Sequence, residues 1–212
     1  MTPRMRVPSL QEETRTLVVC PTMLLDSAHA LAMVKHLSVL RQANRDPRLD
    51  FMLLGDFRDS LTANETGDAD IVRTAAAATQ ALCEDTGHAF YYMQRERVFS
   101  PRDQTHMSRE RKRGSLETLF RLICDRPVEE RFAYCSLPPE SLRGRYRYVI
   151  ALDSDTLLPP GSALRLVGAM LHPLNRRRVE QGRMRGVSIV QPRMEIAAHT
   201  VKSWLSLWLG GS

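Results

Sequence analysis

Aromatic residues are scarce in this chain of 212 residues, at 6% of the total. The formal net charge is +6, and the basic residues crowd into Arg109 to Arg113 and Arg176 to Arg178. No Phe or Tyr interleaves with either cluster. Nucleic-acid surfaces combine a basic groove with stacking platforms, so the partner expected for these cations is a small phosphate-bearing ligand and not a polynucleotide. Long apolar runs are missing too. None approaches the ~20 residues of a membrane-spanning helix, and the opening MTPRMRVPSLQEETR lacks the apolar core of a secretory signal.

Cysteine is sparse, and none of Cys20, Cys83, Cys124 and Cys135 forms a C-x-x-C pair. Each lies in or beside an apolar stretch, the pattern of reduced, buried thiols. Together these features give the expectation of a soluble segment in the cytosol, from a parent protein that is free to be membrane-bound. The histidines show neither H-x-x-x-H nor H-E-x-x-H spacing, and His29 and His36 read as structural or solvated groups on one helix face. The sequence has no G-x-S-x-G and no glycine-rich Rossmann or Walker loop, which argues against hydrolase and P-loop chemistry.

What is present is an alternation of short apolar runs and amphipathic stretches. Thr16 to Cys20 reads as a strand ending at Pro21, and Phe51 to Leu54 as a second strand ending at Gly55-Asp56. Ala89 to Met93, Tyr146 to Leu152 and Val187 to Val190 complete five expected strands. Helices are expected after an N-cap at Asp26 or Ser27, from Asp68 to a stop at Gly87, over Leu116 to Cys124, and from Ser162 to Leu171 before Pro173. This order predicts an α/β fold with a mostly parallel central sheet flanked by helices. Such sheets bind ligands at the carboxyl ends of their strands. The segment from Arg95 to Gly114 is long for a loop in a compact domain and reads as functional.

The sharpest chemical signal is Asp153-Ser154-Asp155, at the end of the apolar run YVIAL. Alternate residues of an extended chain point the same way, so both carboxylates can reach one region. Two carboxylates together repel unless a cation compensates them. Mg2+ or Mn2+ can do so, using one or two carboxylates plus phosphate oxygens. The bland alternative is a strand-end acid capping the next helix. A second candidate is Arg109-Glu110-Arg111-Lys112-Arg113-Gly114, where a glycine ahead of a helix lets backbone N–H groups approach an anion; the alternative is a solvated or partner-docking basic loop. Asp56 sits at a strand end, positioned to meet a ribose or base, or simply in a turn. Glu195 is a weaker candidate at the same edge. Trp204 and Trp208, one helical turn apart, read as a packing face.

In order and spacing, TLVVCPTML, LDFMLLGDF, SRERKRGSLETL, YRYVIALDSDTLLPPGSALRLVGAMLHPLNR and IVQPRMEI resemble the glycosyltransferase domain of the cyclic β-1,2-glucan synthase family. The resemblance runs from about Thr16 to the end of the chain. It implies a GT-A-like nucleotide-sugar-binding fold, UDP-glucose as donor, a divalent metal, and inversion at the anomeric carbon. It also implies a growing glucan acceptor and a large multi-domain membrane parent at the cytoplasmic face of a bacterial inner membrane. On the motif match Asp153 and Asp155 would hold the metal, Asp56 would lie near the nucleoside, and Arg111, Lys112 and Arg113 near the diphosphate. Ser115 and Phe120 stand where that family usually carries Lys and Asn. The expected organisation is an extension over residues 1–15 and the donor-binding part of the transferase domain over 16–212, with the general base beyond Ser212 and the isolated chain therefore inactive. The competing readings are another processive polysaccharide synthase of the same fold and a non-catalytic nucleotide-binding or interaction module.

Overall fold

The computed structural model describes residues 3–180 and 182–192. Two units are distinguished, Arg6–Val167 and Met1–Met5 with Gly168–Ser212. The larger unit carries β1 (Thr16–Leu24), α1 (Ser27–Ala43), β2 (Leu49–Phe57), α2 (Asp68–Thr86), β3 (Phe90–Arg95), β4 (Val98–Ser100) and β5 (Thr105–Met107). It continues with α3 (Arg111–Ile123), β6 (Phe132–Cys135) and β7 (Tyr148–Ala151), and α4 (Ser162–Leu171) crosses its boundary. The smaller unit holds the hairpin of β8 (Arg178–Glu180) and β9 (Arg183–Arg185).

Five strands form one sheet in the order β6-β3-β2-β1-β7. All neighbours are parallel except β6, which runs antiparallel to β3. The mixed α/β architecture expected from the alternation is thus the one observed, and it is consistent with a GT-A-like fold. β2 lies centrally and is buried along its whole length. Side chains alternate across the sheet: Leu17, Val19, Met52, Leu54 and Met93 face a core shared with Leu119 and Ile123 of α3. The intervening residues point to the other face, where Phe51 and Phe90 stack at 5.7 Å and where α1 and α2 lie.

Several elements begin or end differently from the sequence-based expectation. β1 continues through Pro21 to Leu24. Val19 O accepts from Leu152 N on the β7 side, so Pro21, two residues on, turns its missing N–H to that same side, where β7 has already ended. β2 likewise carries on past Gly55-Asp56 to Phe57. α3 starts at Arg111, ahead of the expected Leu116, which makes Gly114 a helical residue and not the approach to a helix. The Arg95 to Gly114 segment is mostly ordered, by the β4–β5 hairpin and the first turn of α3. β6 had no forecast. Val187 to Val190 is not a strand: Gly186, at φ +105°, turns the chain off the β8–β9 hairpin, and Val187 N donates to Asn175 O at 2.8 Å. Glu195, Trp204 and Trp208 lie outside the described residues.

Other expectations hold. Asp26 accepts from His29 N at 2.7 Å as the cap of α1, Gly87 closes α2 at φ +62°, and α4 spans Ser162–Leu171. All four cysteines are free; only Cys20 is buried as expected, while Cys83 and Cys135 are half-buried and Cys124 is exposed. No helix among the described residues is long and apolar enough to cross a membrane.

At the amino end of the strands Asp50 is buried among polar partners. Its carboxylate accepts from Tyr146 Oη at 2.7 Å and from Arg15 Nη1 at 3.3 Å, with Arg145 Nη2 at 3.5 Å. Burial and the adjacent carboxylate hold the Tyr146 phenol far above its ordinary range. Tyr146→Phe removes a hydrogen bond to a buried charge, and a loss of about 1.5–3 kcal/mol in unfolding free energy is expected from urea denaturation.

Candidate functional site

The carboxyl ends of β1, β2, β3 and β7 lie along one edge of the sheet. β1 is the strand at which the order changes direction, with β2 on one side and β7 on the other, and such a switch point is where parallel sheets open a crevice. Asp153 and Asp155 follow directly after β7 there, and both are exposed.

The segment that carries them is held at several points. Leu152 N donates to Val19 O at 3.0 Å, and Thr156 N closes a turn onto Asp153 O at 3.0 Å. From α1, His36 Nε2 donates to Thr156 O at 3.1 Å. The buried Asn44, just past α1, donates from Nδ2 to Leu158 O at 2.9 Å and accepts from Ala163 N at 3.0 Å. The Pro-Pro-Gly turn is therefore bracketed by one side chain, and the carboxylates are delivered from a fixed backbone.

Asp56 lies elsewhere at the same edge, and its environment is unlike that of the DSD pair. Gly55 pairs in register with Gln94, so Asp56 and Arg95 come side by side on the face covered by α3. Arg95 Nε and Nη2 donate to the two Asp56 oxygens at 2.8 and 2.9 Å. The side chains are 1% and 6% exposed. Both oxygens of Asp56 thus meet the guanidinium, which reaches on to donate to Arg111 O at 2.9 Å and Arg109 O at 3.2 Å. Those carbonyls flank Glu110. Glu110 and Arg111 both adopt left-handed backbone, at φ +50° and +46°, a conformation uncommon in non-glycine residues. A Cβ on Gly114 would fall 2.0 Å from Arg109 O, so only glycine lets the turn fold back this closely. The buried pair and the glycine together fix where α3 starts.

The three cations of that turn diverge. Lys112 Nζ pairs with Asp153 Oδ1, joining the basic segment to the DSD acids. Arg111 reaches Asp59 at 2.6 Å, and Arg113 turns to Glu110 at 3.3 Å. Two residues outside the sequence candidates belong to this edge, Arg95 and Asp59. Asp59 repeats an acid three positions after Asp56, and its Oδ1 is buried with no hydrogen-bond partner among the described residues. Cys20, midway along β1, is also close: burial pushes its thiol up to about 12 while Lys112 acts in the opposite direction, so it is a neutral, inert neighbour.

Among the described residues no group of three or more His, Cys, Asp or Glu could cage a metal by itself. The donor set nevertheless suits a hard divalent cation that uses one or two carboxylates and completes its shell with phosphate oxygens and water. That Asp153 already takes a cationic group, the Lys112 ammonium, fits such a role. A groove of about 760 Å3 starts at Lys112 and runs along the outer face of α3 over Leu116, Phe120 and Cys124.

No family model matches the chain. It is similar to the curated cyclic beta-(1,2)-glucan synthase NdvB of Rhizobium meliloti (strain 1021), at 31% identity over 192 residues. The match covers 87% of this chain and 7% of that protein, so the chain spans a small part of its relative's length. The resemblance seen in the strand and DSD motifs thus extends over most of the sequence.

Removing the buried guanidinium tests the clamp. Arg95→Met leaves Asp56 buried and unpaired, with an expected loss of roughly 3–5 kcal/mol in urea denaturation. The double variant Asp56→Leu/Arg95→Met should recover only part of this, because the carbonyls of Arg109 and Arg111 still lack their donor.

Proposed function

We propose that this chain is the donor-binding part of a glucosyltransferase domain that takes UDP-glucose with Mg2+ or Mn2+ and serves the synthesis of β-1,2-glucan within a larger membrane enzyme. The reading is carried by one observation: two exposed acids follow β7, the strand beside the switch point, and one of them is paired with a cation from the basic turn of α3. The similarity to NdvB, a cyclic beta-(1,2)-glucan synthase, supports the polymer.

In this reading Asp153 and Asp155 hold the metal. When bound, the metal supplies Lewis-acid stabilisation of the charge developing on the departing diphosphate, an effect of several kcal/mol. Lys112 contributes a mobile positive charge beside the same phosphates. His36 and Asn44 keep the acids in place, and the Asp56–Arg95 pair sets the turn from which Lys112 reaches across. An α-linked donor giving a β linkage requires inversion, and hence a base acting on the acceptor hydroxyl from the face opposite the diphosphate.

A second reading, a non-catalytic interaction module, is favoured by the groove on α3, where Phe120 is 45% exposed. Calorimetry separates the two. With Mn2+ present, Asp153→Asn and Asp155→Asn should each weaken UDP binding about tenfold or more, about 1.4 kcal/mol, and EDTA should remove the same component from the wild type. Indifference of UDP binding to both substitutions and to EDTA would favour the module. Competition among UDP-sugars then tests the donor, with UDP-glucose expected to bind tightest and another winner pointing to a different synthase of this fold.

A further inference from the structure

We propose that Lys112 is a competing cation for the metal carboxylate: ammonium and divalent ion take turns on Asp153, and a diphosphate releases the lysine. The proposal rests on the donor-site reading above. Lys112 and Asp153 pair while both side chains remain substantially exposed, at 46% and 57%, so solvent, nucleotide and ions all reach the contact.

Neither backbone is free to move the contact apart. On one side Arg95 holds the carbonyls of Arg109 and Arg111, and Gly114 packs against Arg109 O. On the other side Leu152, Thr156 and Leu158 are tied to β1, the DSD turn and Asn44. Exchange therefore falls to the flexible four-carbon stem of the lysine. An ammonium in contact with a carboxylate repels a divalent ion approaching that same group. A metal alone must displace Lys112 into water. A metal arriving with a diphosphate offers the lysine a new anionic partner. Lys112 thus weakens binding of the metal by itself and strengthens binding of metal and nucleotide together, a positive coupling between the two ligands.

The test compares the full chain with Lys112→Met and Lys112→Arg, after thermal melts have shown equal folding. Mn2+ alone is titrated by calorimetry or by the loss of its free-ion paramagnetic resonance signal. UDP is then titrated at saturating Mn2+. For Lys112→Met the affinity for Mn2+ alone should rise about three- to tenfold, while UDP affinity falls by a similar factor. Lys112→Arg keeps the charge and should stay near the wild type for Mn2+ alone. Opposite signs for the two ligands are not produced by a general structural defect. An Mn2+ affinity in Lys112→Met equal to or below that of the wild type overturns the proposal, provided Asp153→Asn still abolishes Mn2+ binding. If Asp153→Asn leaves Mn2+ binding unchanged, the donor-site reading fails and takes this inference with it.

Discussion

A guanidinium sealed beneath α3 determines how this molecule presents its charges. Arg95 is among the largest fully buried side chains in the protein, and burying it unpaired would be very costly. Asp56 answers the charge, and the remaining donors reach the main-chain carbonyls of Arg109 and Arg111 at the start of α3. The arrangement satisfies both sides at once. Strand ends β2 and β3 are locked together, and a segment of like charges that would resist compaction is folded into a tight left-handed turn. Cations at a helix start oppose the helix dipole, so α3 begins where tertiary bonds dictate and not where local preference would put it.

The two halves of the site are built by different means. The acids come from a short strand and a loop pinned by neutral hydrogen bonds from α1, through His36 and Asn44. The bases come from a turn held by a buried ion pair. They meet through the long side chain of Lys112, which reaches Asp153. Backbone rigidity beneath and side-chain freedom above is the arrangement expected where charges must be positioned and yet exchange partners.

Much of this was legible in the sequence, for identifiable reasons. Short continuous apolar runs and capped amphipathic helices revealed the α/β alternation, and the acid pair stood out because it directly follows the apolar run YVIAL. The onset of α3 was hidden because RERKRG is polar throughout and its helical state depends on Arg95, distant in sequence. Arg95 itself reads as the first residue of the long loop that runs to Gly114. β6 is four residues long with no deeply buried position, too faint a pattern to read, and it forms by adding antiparallel to β3. Val187 to Val190 had strand composition, but Gly186 directs it away from its neighbouring hairpin. Asp56 was marked as a strand-end acid, yet its pairing with a buried cation could not be inferred without the register of β2 and β3.

Pro21 has an effect beyond its own hydrogen bonding. Because it offers no donor toward β7, the ladder has no rung beyond the bond from Leu152 N to Val19 O, and the DSD turn begins with the next residue. One imino acid in the middle of an apolar strand thereby acts as a full stop for the β7 ladder, and the acids of the DSD turn fall just past it.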